Sequence, residues 1–358
     1  MGTYPKPRPR ELGLEFGLMP TGERNSITDV PGVLVGHVDV VQGEDVRTGV
    51  TIIKPHEGNV FREKVEAAVY VVNGFGKAAG VTQIEELGVL ETPIALTNTL
   101  SVPVAIDGLI EYSLQHNPEI GTTTGTVNAV VGECNDGHLN DIRGRHVKPS
   151  HIAEALADAC GGYVPEGDVG AGKGMVCFGY KGGIGTSSRL VGDYTLGCLV
   201  LTNFGRKEHL TILGRPIGRQ LAMKSSSTSP DGSVIVVLAT NAPLDARQLL
   251  RVARRGGLGL ARVGSVVSHT SGDYVFAFST TNRTHHFEER TEVVHLRLNE
   301  SNSLMTGFFL AAVESIEEAV INSLFAADKV IGQRGRVVAA LPVQKVLELL
   351  RDWSGSKC

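Results

Sequence analysis

The chain has 358 residues, of which 42% are hydrophobic and 20% charged, and its formal net charge is −4. That balance is ordinary for a globular protein with a sizeable core, and it argues against a disordered chain. Without a basic excess, nucleic-acid binding has no electrostatic support, and no run of about 18 apolar residues is available to span a bilayer.

Residues 1–24 read as an arm of low structure. They carry Pro and basic residues but lack the apolar core, roughly 7 to 15 residues long, of a secretory signal. Short β-rich segments bounded by Gly, Pro, Asn or Asp follow, and Val33 to Val38, Gly49 to Ile53, Ala67 to Val72 and Pro93 to Thr97 are expected strands. Val104 to Gln115 has helical apolar spacing. His151 to Ala159 follows Pro149-Ser150, which predicts a helix with Ser150 as its cap. Leu196 to Leu201 is an expected buried strand, and residues 204–232 turn polar, with SSSTSPDG at their end reading as an exposed loop. After Ser233 the pattern predicts a strand, a helix over Asp245 to Ala261 and a strand over Tyr274 to Thr280. A long helix over Gly307 to Ala327 follows, with Glu314, Glu317 and Glu318 on its polar side. Arg336 to Ala340 and Val343 to Trp353 suggest a last strand and a last helix. Strands and helices come in runs rather than in βαβ alternation, which favours a layered α+β sandwich built as one domain over residues 1–358.

Glycine is the compositional outlier. Its 44 residues are about 12% of the chain against a usual ~7%, and they cluster beside apolar runs, marking tight turns and close backbone approaches. The five cysteines are scattered without CxxC spacing and odd in number, so reduced thiols in a cytoplasmic protein are expected. Gly167 to Gly174, GDVGAGKG, nearly spells a phosphate-binding loop. Its last residue is Gly174 where a Mg²⁺-binding hydroxyl is needed, so a plain Gly-rich turn is the better reading. The histidines lack metal-ligand spacing, so neither metal nor cofactor is expected, and no GxSxG elbow appears. The segment VVGECNDGHLNDIR (130–143) packs Glu133 and His138 among other polar residues directly after an apolar run. A strand end that holds polar groups rigidly suits function, although turn chemistry alone also explains Asn-Asp-Gly. Ser271-Gly272-Asp273 likewise reads as a plain turn by composition.

The sharpest local feature is DGSVIVVLATNAPL (231–244), where Gly232-Ser233 opens the most hydrophobic run of the chain. With NSITDVPGVLVGH (25–37), RTGVTIIKP (47–55), NGFGKAAG (73–80), PIALTNTLSV (93–102), VVGECNDGHLNDIRG (130–144), GMVCFGYKGGIGTSSR (174–189), LVLTNFG (199–205) and SGDYVFAFST (271–280), it resembles the L-aminopeptidase/D-esterase family. That family includes the β-peptidyl aminopeptidases, and the nine stretches cover nearly the whole chain in order. The resemblance implies a four-layer αββα sandwich like that of N-terminal-nucleophile hydrolases, but with different connectivity. It implies self-cleavage between Gly232 and Ser233, giving an α chain of 1–232 and a β chain of 233–358, with four αβ units per homotetramer. The implied activity is removal of N-terminal residues from small peptides, amides or esters through an acyl-enzyme on Ser233, with no nucleic-acid or membrane partner.

By the same resemblance, Asn203 supplies an oxyanion donor, Ser271 and Asp273 support Ser233, and Glu133 receives the substrate ammonium. His138 stands where an aromatic residue is expected and Asn241 where Asp is expected, which bears on substrate choice. Two alternatives stay open at this level. One is an acyltransferase like the ornithine acetyltransferases, and the other is an uncut, non-catalytic assembly protein.

Overall fold

The computed structural model describes residues 6–222, 232–301 and 303–355. The N-terminal stretch is more built-in than its composition suggests. Phe16 is fully buried, and Arg10 pairs with Glu318 at 2.6 Å. Strands β1 (Leu34–Gln42) and β2 (Val46–Lys54) form a hairpin, followed by β3 (Glu63–Gly74), α1 (Val81–Leu87), β4 (Val89–Leu90) and β5 (Ile94–Asn98). Next come α2 (Val102–His116), β6 (Val130–Cys134) and α3 (Pro149–Asp158). Helix α3 begins earlier than expected. Pro149 takes the first helical position, Lys148 is the cap residue, and the His151 ring accepts the Lys148 N–H at 3.0 Å.

The short pair β7 (Val176–Cys177) and β8 (Tyr180–Lys181) precedes β9 (Ile184–Val191) and β10 (Tyr194–Asn203). The polar stretch after β10 is partly structural. It holds α4 (Ile217–Ala222) and buries Leu210, Ile212 and Ile217, while residues 223–231, which include SSSTSPDG up to Asp231, lie outside the described residues. After β11 (Ser233–Thr240), the single helix expected over Asp245 to Ala261 is two, α5 (Ala246–Ala253) and α6 (Gly256–Arg262). The break has a steric cause. A Cβ on Gly256 would lie 2.4 Å from Val275 and one on Gly259 2.7 Å from Ile316, so the RRGG step bends to bring bare backbone against its neighbours. Leu258, on the second of these helices, is exposed. Strand β12 (Gly272–His285), helix α7 (Leu304–Ala326), the two-residue strands β13 (Val330–Ile331) and β14 (Val337–Val338), and α8 (Val343–Gly355) complete the chain.

Two sheets stack face to face. One has the order β1-β2-β5-β6 and the other β4-β3-β12-β11-β10-β9, with β5–β6 and β11–β12 parallel and the other pairs antiparallel. Alternation along β11 shows why its run is apolar throughout. Ile235 and Val237 face the other sheet, with Ile53, Leu96 and Val130, while Val236 and Leu238 face the helices, with Leu249, Phe308 and Ile316. Each such side chain, fully buried, contributes about 1.5–3 kcal/mol. On the outer face of the first sheet, Val50, Ile52 and Ala95 pack with Leu109 of α2 and Ile152 of α3. The layers therefore run helix, sheet, sheet, helix, as expected.

Glu314 and Glu318 of α7 do not face solvent. They bind Arg189, itself fully buried, at 3.1 and 2.7 Å, and Glu317 is buried beside Arg262. Charge complementarity overrides the expected polar face there. The Gly-rich GDVGAGKG segment turns through Gly170–Gly172, and its donors are consumed internally. Gly170 N–H and Lys173 Nζ donate to Asp39, and Ala171 N–H donates to Thr51 Oγ1. No cradle for a phosphate is left in that turn.

Candidate active site

Strand β11 sits between β10 and β12, and its first residue fixes the site. Asn203 at the end of β10 pairs with Ser233, and Asp273 in β12 pairs with Val234. Three segments far apart in sequence thus deliver Asn203, Ser233, Ser271 and Asp273 to one sheet edge. A register shift between β12 and β3 at Asp273/Tyr274 marks a bulge, a device that re-aims side chains at sites.

Around the 232–233 peptide the hydrogen bonds are specific. Gly272 N–H donates to Ser233 Oγ at 3.1 Å. Ser271 Oγ bonds to the carbonyl oxygen of Gly232 and lies 2.6 Å from Asp273 Oδ1. A hydroxyl has one proton, so Ser271 donates to one of these at a time. Burial pushes the Asp273 carboxyl up to about 6, against the pull of hydrogen bonds from Ser271 and Val234. In its acid form Asp273 donates to Ser271, whose own proton is then turned to the Gly232 carbonyl. The second oxygen, Oδ2, is buried and has no hydrogen-bond partner among the described residues.

Gly232 has no room for a side chain. A Cβ there would fall 1.6 Å from the Asn203 carbonyl oxygen and 3.2 Å from Asn203 Nδ2. The Asn203 amide is fixed in orientation, since Oδ1 accepts Val176 N–H and Nδ2 donates to the Asn135 carbonyl, both at 2.9 Å. One amide hydrogen remains directed by this clamp.

The facing sheet supplies Glu133. Gly132 lets β6 lie against β11, since a Cβ there would meet Ile235 at 3.0 Å. The Glu133 carboxylate is buried and accepts Lys77 N–H at 2.8 Å and the Thr99 hydroxyl, with no cationic side chain paired to it among the described residues. It borders Ser233 through two glycines. A Cβ on Gly76 would lie 3.2 Å from Glu133 Oε1 and one on Gly272 3.3 Å from Ser233 Oγ, while Gly76 and Gly272 touch each other. Asp136 is buried behind this turn, and burial pushes its carboxyl up to about 7.

Of the residues singled out in the sequence, Ser233, Asn203, Ser271, Asp273 and Glu133 converge, and Gly232 lies among them. His138 shares the 135–140 turn, but its ring is exposed and bonds to none of them; its carbonyl accepts from Arg336 at 3.2 Å. Asn241 sits at the opposite end of β11, where its Oδ1 accepts Thr195 N–H at 2.8 Å. Sequence reasoning missed Thr99, Val176 and Gly76 as parts of the site, and met Asn135 and Gly272 only as members of polar turns. The Gly-rich NGFGKAAG and the Asn-Thr step in LTNTL were the only local hints.

An αββα sandwich with a serine opening a central strand and a polar constellation at that sheet edge defines a hydrolase of the N-terminal-nucleophile-like type, here a serine aminopeptidase. The comparisons bear this out. The chain belongs to Peptidase family S58, whose model matches residues 25–338. It is 38% identical to the β-peptidyl aminopeptidase BapA of Sphingosinicella microcystinivorans, over 97% of this chain and 92% of that protein. A protein of Pyrococcus horikoshii of known structure is 47% identical, with a TM-score of 0.92, over 97% of this chain and 99% of that one. The L-aminopeptidase D-Ala-esterase/amidase of Ochrobactrum anthropi, described as a prototype for the serine aminopeptidases and a new variant among the Ntn hydrolase fold, is 36% identical. Its TM-score is 0.91, over 98% of this chain and 99% of that one. Among the described residues no helix is long and apolar enough to cross a membrane.

Proposed function

We propose that this aminopeptidase matures by cutting its own chain between Gly232 and Ser233, and that Ser233 then acts as an N-terminal nucleophile. The observation that carries the proposal is the pair of contacts across that peptide, with Gly272 N–H on the Ser233 hydroxyl oxygen and Ser271 on the Gly232 carbonyl. In the self-cleavage step, Ser233 Oγ bonds to the Gly232 carbonyl carbon and the 232–233 C–N bond breaks. The proton passes to the released amine, and water hydrolyses the resulting ester to a Gly232 carboxylate. Asp273, through Ser271, polarises the carbonyl, and the directed amide hydrogen of Asn203 supports the oxyanion.

Cleavage creates the base. The 233 nitrogen is a non-basic amide before the cut and an amine of pKa roughly 7.7–8.0 afterwards, able to take the Ser233 proton. Asp273 Oδ2 is suited to steady that amine when protonated. The substrate ammonium binds Glu133, its acyl group moves to Ser233, and the amine, amide or ester leaving group departs before water regenerates the enzyme. His138 lines the outer turn and acts on substrate choice rather than on the reacting atoms. The two chains, 1–232 and 233–358, stay one domain because β11 remains zipped between β10 and β12. Assembly into tetramers of αβ units is supported by the exposed apolar Phe287, Val293, Val294 and Leu296.

Denaturing electrophoresis with N-terminal sequencing tests the proposal. The expected new terminus is SVIVV, and Ser233→Ala should stay intact and inactive on aminoacyl p-nitroanilides. Activity in the Ser233→Ala variant, or full activity in an uncut chain, overturns it. Sedimentation analysis checks the tetramer.

A further inference from the structure

The hydrogen bond on the Ser233 hydroxyl oxygen comes from the Ser271–Gly272 peptide, and that peptide is gripped at its other end. Its carbonyl oxygen accepts Asn73 Nδ2 and, at 3.3 Å, Phe75 N–H. A carbonyl oxygen has two lone pairs, so both are used. Asn73 Nδ2 also meets the carbonyl oxygens of Ser268 at 3.1 Å and His269 at 3.2 Å. All three groups around it are acceptors, which identifies the atom there as the amide nitrogen.

The backbone explains how Asn73 reaches this turn. Asn73 pairs with Asp273 but Val71 pairs with Tyr274, so Val72 is an extra residue in β3, and the bulge re-aims Asn73. The peptide needs such a hold. It leads into Gly272, which lies on the bare backbone of Gly76, and glycine offers little steric resistance to rotation. In a trans peptide the C=O and N–H lie in one plane and point in opposite directions, so fixing the Ser271 oxygen fixes the direction of Gly272 N–H. Donors on the oxygen also polarise the N–H at the far end.

We infer that Asn73 is a positioning residue for the reaction, acting through the Ser271–Gly272 peptide on the oxygen of Ser233. The clamped N–H holds that oxygen on its line of attack, and it steadies the charge that returns to the oxygen when the acyl ester breaks. The inference rests on the reading of Ser233 as the nucleophile. Because Glu133 holds the substrate ammonium, losing the clamp falls on kcat and leaves KM. It falls on self-cleavage as well, since the same oxygen attacks Gly232.

The test compares Asn73→Asp and Asn73→Ala with wild type at about pH 8, where a carboxyl is ionised. Asp keeps the shape of Asn but cannot donate, so a role in filling space survives it and a role as donor does not. Intact chain is followed on denaturing gels, kcat and KM on an aminoacyl p-nitroanilide are expressed per cut chain, and near-ultraviolet circular dichroism confirms the fold. Both variants should process about five- to tenfold more slowly, roughly the worth of one hydrogen bond, with kcat per cut chain lowered alike and KM within twofold. Asn73→Gln keeps the donor on a longer stem and serves where the other two fail to fold. It should process faster than Asn73→Ala, or within twofold of wild type. Asn73→Asp within twofold of wild type, a loss confined to KM, or Asn73→Gln cutting more than tenfold slower than wild type while folded overturns the clamp. Activity of Ser233→Ala instead sinks the reading of the nucleophile, whereas an unimpaired Asn73→Asp that still yields the SVIVV terminus sinks the clamp alone.

Discussion

Replacing Gly232 with Ala is the most direct probe of the cleavage geometry. The added Cβ would fall 1.6 Å from the Asn203 carbonyl oxygen, while real Cβ atoms essentially never come under 3.0 Å. The obstacle is backbone of a central strand, which has no flexible end to swing away. Residue 232 must therefore give way by about 1.4 Å, and misplacing reacting groups by about 1 Å lowers a rate by about 10²-fold. The carbonyl would leave the Ser271 hydroxyl and the line of attack of Ser233. Gly232→Ala should then process at least about 100-fold more slowly than wild type, with its folded core intact. The assay is a time course of intact chain on denaturing gels after purification of freshly made protein, with near-ultraviolet circular dichroism to confirm the fold. Processing at the wild-type rate would refute the steric argument and the assignment of this peptide as the scissile bond.

Asp273 gives self-cleavage a pH dependence. Its carboxyl titrates at about 6, and only the acid form turns the Ser271 proton to the Gly232 carbonyl, so processing should slow as pH rises from 5 to 8. Asp273→Asn keeps a donor at all pH values and should flatten the profile; a wild-type profile that rises through this range contradicts the relay. Glu133→Gln removes the charge that receives the substrate ammonium, and a KM rise of about tenfold with processing unaffected is expected, a charge-assisted hydrogen bond being roughly twice as strong as a neutral one of about 1 kcal/mol. A KM within twofold of wild type would remove Glu133 from that role. Arg189→Ala leaves buried Glu314 without a cationic partner and buried Glu318 with Arg10 alone. Breaking a buried pair in this way costs about 3–5 kcal/mol. Urea unfolding in a Ser233→Ala background, where one chain unfolds, should show that loss, and a change under about 1 kcal/mol would mean that Arg10 on Glu318 and the Leu18 and Met19 N–H groups on Glu314 suffice.

What could be read in advance depended on how local the cause is. The strands around Val50, Leu199 and Val236 were legible because both of their faces are buried, so β-branched runs bounded by turn residues announce them. The helix break at Arg254-Arg255 was not legible, because its cause is Val275 and Ile316 pressing on Gly256 and Gly259 from other elements. Nor was the burial of Glu314 and Glu318, whose partners Arg189 and Arg10 lie well over a hundred residues away. Glu133 was picked out by resemblance, but its pairing with Thr99 and Lys77 depends on how β5, β6 and the turn after β3 meet.

By itself the sequence determined the layered class, the strand that begins at Ser233 and the small residue before it, because turn chemistry and hydrophobic runs act over a few residues. It also carried, through nine ordered stretches, the family to which the chain belongs. Only the tertiary structure decided that Asn203, Ser271 and Asp273 meet at one peptide bond, with Glu133 beyond Gly76 and Gly272. Sheet register and the stacking of two sheets are contacts between distant segments, and they alone bring a hydroxyl, a polarised carbonyl and a buried carboxylate together.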